Sequence, residues 1–146
     1  MTIDMGAILD GYCSDCTRTL VEGEPDPAHR QVYELVLAAQ TAALEAIRAG
    51  AGGRAVDAVA REVITEGGHG ERFGHGLGLG VGIEVHEPPR LSMRSDDTLL
   101  AGDVVTVEPG IYVPGEFGVR IEDLVVVTED GHEVFSGLSK TLMTVS

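Results

Sequence analysis

Residues 2–20 read TIDMGAILDGYCSDCTRTL, Thr2 to Leu20: two apolar-rich runs joined by Asp10-Gly11. Asp-Gly between such runs signals a two-residue type I′ turn, because both central positions need positive φ. A turn of that length fixes the register. Leu9 faces Tyr12, and Asp4 faces Thr17. Asp15 then lies diagonal to Asp4 on the same face, ~7–8 Å away along the backbone. Two carboxylates reaching toward each other from there can hold cations between them.

Downstream, VEGEPDP (21–27) is a polar, proline-punctuated connection. Val32, Leu35, Val36, Ala39, Ala43 and Ile47 then recur at helical spacing, as do Val56, Val59, Ala60 and Val63. The GAGG run at 50–53 separates these helices, and Gly67-Gly68 ends the second. The glycine-rich FGHGLGLGVGIEVHEPPR (73–90) follows, with His75 and His86 framing a run almost free of polar residues. Glycines around histidines suggest backbone room for a metal, a phosphate or a substrate.

The remainder is β-rich: DVVTVEPGIYV, GVRIEDLVVVT, HEVF and KTLMTV are short valine-heavy runs bounded by turn residues. With Pro114-Gly115-Glu116 as a three-residue loop, Glu108 falls opposite Glu122. Like charges directly opposed across a ladder are destabilising, so something should neutralise them. From geometry alone, a metal site and a solvated acidic face both stay open. The order of elements predicts an α+β fold, two helices on one face of a mostly antiparallel sheet.

Bulk properties narrow the function classes. The chain has 146 residues, 24 acidic against 10 basic, and a formal net charge of -14. Such a field repels nucleic acid and anionic membranes and attracts cations. No run approaches the length of a membrane helix, and the start lacks signal-peptide character, so a cytoplasmic location is expected. Cys13 and Cys16 form a C-x-x-C. On a strand their Cα atoms lie ~10 Å apart, beyond the ~7 Å that a disulfide spans, which makes them packing residues.

DMGAILDGYCSDCTRT, the HE of IEVHEPPR, VEPGIY and VRIED occur in this order. Together they resemble the creatinase/aminopeptidase (M24, pita-bread) superfamily, most of all its Xaa-Pro peptidases, prolidase and aminopeptidase P. The resemblance spans essentially the whole chain. It implies a hydrolase of the metallopeptidase type with two divalent ions, which clamp a hydroxide and polarise a carbonyl. Asp4 would bind one ion, Asp15 and Glu122 would bridge both, and Glu108 would bind the other. His86 matches a histidine that hydrogen-bonds the scissile carbonyl or the tetrahedral intermediate, and Glu108 also matches the general base. The oxygen-rich shell favours manganese, with cobalt and zinc as alternatives. Arg18 and Arg120 match positions that orient the ligand carboxylates; ordinary ion pairs are the alternative.

Two departures stand out. The family pattern has a metal-binding histidine seven residues before the one matching His86, and here that position is Leu79. His75 lies four residues earlier, ~13 Å along an extended segment, too far to replace it without a rearranged loop. The second departure is that Met1 opens directly on the strand carrying Asp4. The resemblance therefore implies one metallopeptidase-like catalytic domain over 1–146, lacking the family's N-terminal portion, as a partial pita-bread fold. An exposed sheet edge then makes a homodimer the expected partner, besides a proline-containing peptide substrate. The favoured reading is hydrolysis next to proline, weakened by Leu79. A non-catalytic peptide- or protein-binding module is the alternative. A creatinase-like, metal-free amidinohydrolase is a third reading, opposed by the retention of all four carboxylates.

Overall fold

The first hairpin forms in the expected register. In the computed structural model, which describes residues 1–145, β1 (Thr2–Met5) pairs antiparallel with β4 (Cys16–Glu22), Asp4 facing Thr17. Its tip is the short ladder of β2 (Ile8–Leu9) and β3 (Tyr12–Cys13), Leu9 facing Tyr12. Asp10 and Gly11 have φ of 51° and 88°, as a type I′ turn demands. Between the two ladders the chain opens. There Ser14 N donates to Ala7 O at 2.8 Å, and Asp15 is unpaired.

The second hairpin repeats this design. β8 (Gly110–Val113) pairs with β9 (Phe117–Arg120) around the 114–116 loop, Val113 facing Phe117. Further from the loop, β7 (Val104–Val107) pairs with β10 (Asp123–Val127), Val107 facing Asp123. Both ladders share one register, so Pro109-Gly110 introduces no bulge. Glu108 and Glu122 occupy opposed positions in the gap between them.

α1 (Pro27–Ala46) starts where Asp26 caps the N–H of Ala28 and Pro27 takes the first turn. α2 (Gly53–Glu66) follows the glycine connection. Val32, Val36, Ala39 and Ala43 of α1 and Val56, Ala60 and Ile64 of α2 are buried in one cluster with Val105, Val107, Ile111, Ile121 and Val125 of the strands. Fully burying each larger aliphatic side chain contributes ~1.5–3 kcal/mol.

β10 and β7 belong to a five-stranded sheet ordered β11 (His132–Val134), β10, β7, β5 (Gly78–Gly80), β6 (Glu87–Leu91). β12 (Met143–Val145) lies parallel to β4, completing a three-stranded sheet in which β1 is an edge. All other strand pairings among the described residues are antiparallel, as the α+β reading expects.

β5 and β6 correct one expectation. The glycine-rich stretch is itself part of the sheet, and its glycines make room for neighbouring backbone. A Cβ on Gly78 would lie 1.9 Å from the carbonyl oxygen of Thr106, and one on Gly80 2.3 Å from that of Pro88.

Candidate metal centre

The breaks in the hairpin ladders meet. Asp4 leaves β1, Asp15 sits in the gap before β4, and Glu122 lies in the gap between β9 and β10; each offers a carboxylate oxygen within 4.8 Å of the other two. The backbone brings them together. Glu122 N donates to Thr17 O at 3.1 Å, joining the second hairpin to the first directly opposite Asp4. Glu122 is only 2% exposed, and Thr17 Oγ1 donates to its Oε2. Glu108 is not one of the three converging groups. Its Oε1 accepts from Thr106 Oγ1 at 2.9 Å, and that hydroxyl also accepts from Leu79 N at 3.1 Å.

The electrostatics follow from this crowding. Burial first, then repulsion by Glu108, Asp15 and Asp4, pushes the Glu122 carboxyl up to about 8, against the hydrogen bond from Thr17. Burial likewise pushes Glu108 up to about 7, with Thr106 and Arg120 opposing it. Asp15 is raised too, by burial and by Asp4. Carboxylates held this close favour protons or a cation. Three converging carboxylates suit a hard divalent ion, which takes oxygen ligands. Beside Glu108 the donor set is poorer, because Leu79 presents only hydrocarbon there.

Arg120 reaches one of the three converging carboxylates. Its Nη2 donates to Asp4 Oδ2, Nε to Thr17 Oγ1 at 3.2 Å and Nη1 to Tyr112 Oη at 3.3 Å. Arg18 does not touch a ligand carboxylate. It is 2% exposed and donates to the backbone carbonyl of Glu122, to Asp123 Oδ1 at 2.7 Å and to the carbonyls of Leu138 and Ser139. It therefore fixes the Glu122 backbone and the C-terminal segment together. His75 does not move into the place of Leu79. Its Nδ1 lies 2.8 Å from Gly76 O, which can only accept, so Nε2 accepts from Tyr112 Oη at 2.9 Å. Thr17, Thr106 and Tyr112 carry this hydrogen bonding and were not singled out from sequence. The signals were present, since Thr17 faces Asp4 and Thr106 is two residues from Glu108 on one strand face.

His86 lies between two cavities. One, of about 340 Å³, is lined by His75, Leu79, Arg90, Glu108 and Arg120; the other, of about 460 Å³, by Asp4, Met5, Ile8, Asp15 and Val85. An extended ligand crossing His86 would pass the carboxylates and reach both. Cys13 and Cys16 are free thiols; Cys16 Sγ meets Glu122 O at 3.5 Å and Cys13 Sγ meets Ile83 O at 3.4 Å.

Comparison with known proteins gives the family. A family model described as metallopeptidase family M24 matches residues 1–129. An Xaa-Pro dipeptidase of Pyrococcus furiosus is 46% identical over 143 residues, 98% of this chain and 41% of its own length. Among solved structures, an Xaa-Pro dipeptidase from Bacillus anthracis superposes with a TM-score of 0.97 at 51% identity, covering 99% of this chain and 41% of the other. An X-Pro aminopeptidase from Thermotoga maritima gives 0.96 at 48% identity, covering 99% and 41%. The chain thus spans about two fifths of the length of the relatives it matches.

Proposed function

The chain belongs to metallopeptidase family M24, and on that premise we propose that it carries the centre for metal-dependent hydrolysis of peptide bonds next to proline, as an aminopeptidase or dipeptidase. The observation that carries this reading is the convergence of Asp4, Asp15 and Glu122 from two hairpins. Asp4, Asp15 and Glu122 would hold one divalent ion; Glu108, with Asp15 and Glu122, would hold a second, weakened by Leu79. Bound ions would polarise the scissile carbonyl and supply the attacking hydroxide, manganese being favoured by the oxygen donors. His86, at the junction of the two cavities, would hydrogen-bond the carbonyl oxygen. Glu108 would take the proton of the attacking water, its carboxyl already poised near neutrality by burial. Arg120 would hold Asp4 in place.

No helix among the described residues is long and apolar enough to cross a membrane. The reading sets the chain in the cytoplasm, as a homodimer that covers the free edge of β1. Leu79 favours one other reading, a peptide-binding module on the same cleft without turnover. Assays of Xaa-Pro dipeptides with manganese separate the two. Hydrolysis is expected to require the ion and to vanish in Asp15→Ala. An absence of turnover with the metal demonstrably bound would reject the peptidase and leave the binding module.

A further inference from the structure

We propose, resting on the metal-centre reading above, that the centre is asymmetric: it holds one divalent ion tightly, at Asp4, Asp15 and Glu122, and binds no second ion tightly beside Glu108. Three observations carry this. Among the described residues, Asp4, Asp15 and Glu122 are the carboxylates whose oxygens converge within 4.8 Å. Glu108 Oε1 is committed to the hydroxyl of Thr106, and the same hydroxyl accepts from the Leu79 N–H. Leu79 lines the same cavity as Glu108, and its side chain has no donor atom.

Of the two nitrogen bases lining the cavity, His75 is committed elsewhere. Both ring nitrogens of His75 are engaged, by Gly76 and by Tyr112. His86 borders the cavity from the Asp15 side and lines the neighbouring one as well. The cation nearest at hand is the guanidinium of Arg120, which spans Asp4, Thr17 and Tyr112 and borders the cavity of Glu108. A positive charge fixed there does part of the neutralising work of a second ion and repels one that approaches. Glu108 is thereby left free of permanent coordination, able to accept and release protons in a cleft next to a single ion.

The test is the stoichiometry and pairing of manganese, read without any turnover. Chelator-stripped chain is titrated with Mn²⁺ by calorimetry, and the bound ions are examined by electron paramagnetic resonance. The wild-type chain is expected to take one tight ion with the spectrum of an isolated Mn²⁺. Leu79→His should take a second, with the spin-coupled spectrum of a pair, at an affinity at least ~10-fold above any second-site binding of wild type, the lower end of what even outer-shell partners contribute. Glu122→Gln should lose the tight ion, whereas Glu108→Gln should keep a stoichiometry of one; this pair probes the asymmetry without adding a side chain. Two tight, coupled ions in wild type would overturn the proposal while leaving the metal centre intact, and their reduction to one in His86→Ala would assign the missing nitrogen to His86. A single ion in a folded Leu79→His variant would overturn the role given to Leu79. No ion in a folded wild-type chain would overturn the metal centre itself.

Discussion

Glu122 shows what a single residue at this centre does to the molecule. Its carboxyl is buried and surrounded by Glu108, Asp15 and Asp4, so its ionised form is disfavoured until a cation arrives. Glu122→Gln keeps the shape and can still accept from Thr17, but removes the charge. At pH 8 and without metal, the variant is expected to melt higher than wild type. Each unit of pKa shift corresponds to about 1.4 kcal/mol, so a rise of at least ~5 °C is reasonable for a chain this size. The same variant should lose its affinity for divalent ions. A thermal melt in chelator paired with a calorimetric titration checks both; a variant less stable than wild type in chelator would contradict the repulsion argument. Arg120→Lys makes the converse point. A point charge cannot span Asp4, Thr17 and Tyr112 together as the planar guanidinium does. Ion affinity should fall ~10–100-fold, as it does when outer-shell partners of a ligand are lost, with little change in the melt of the metal-free chain.

At the scale of elements, the two hairpins were legible and the strand between them was not. Asp10-Gly11 and Pro114-Gly115-Glu116 count off their registers residue by residue, so the opposition of Asp4 to Thr17, and of Glu108 to Glu122, follows from loop length alone. β5 carries no such signal, because its glycines answer to Thr106 on β7, a partner 28 residues away in sequence from Gly78. Of the two roles open to Arg18, the ion pair is the one the structure shows, and the sequence could not decide it because Asp123, Leu138 and Ser139 come to it from the far end of the chain. The family resemblance could single out Leu79 because its spacing to His86 is local, whereas the engagement of His75 by Tyr112 is not. The glycines of this stretch are therefore predicted to differ sharply in tolerance. A Cβ on Gly78 would strike the Thr106 carbonyl, forcing β5 away from β7, whereas one on Gly74 meets nothing within 4 Å. Gly78→Ala should lose at least ~2 kcal/mol and melt ~4–8 °C lower or fail to accumulate folded. Gly74→Ala should stay within ~0.5 kcal/mol of wild type. Equal melts for the two variants would mean that β5 is not held so closely.

For the whole molecule, the acidic centre makes stability depend on pH and on metal together. Glu108 and Glu122 have an ordinary value of 4.5 and are raised in the folded chain to about 7 and about 8. The folded state therefore binds more protons than the unfolded one between pH 4.5 and 8. Stability from these two groups is complete below that window and is lost as pH rises through it. Asp123 works the other way. Although burial opposes it, hydrogen bonds from Lys140, Arg18 and Gln40 hold its carboxyl below the ordinary 3.8, and the stability it gives is lost as pH falls below that value. The metal-free chain should thus be most stable near pH ~5 and lose several kcal/mol by pH ~8, a fall in melting temperature on the order of 10 °C. A divalent ion reverses the trend, since it binds the ionised carboxylates of the folded chain. At a hundred times its dissociation constant it adds about 2.7 kcal/mol. Melts from pH 4.5 to 8.5, in chelator and in manganese, should therefore converge at low pH, where protons occupy the site, and separate steadily above pH ~6. Curves that ran parallel across the range would show that the ion does not compete with protons for these carboxylates, and would place its binding elsewhere.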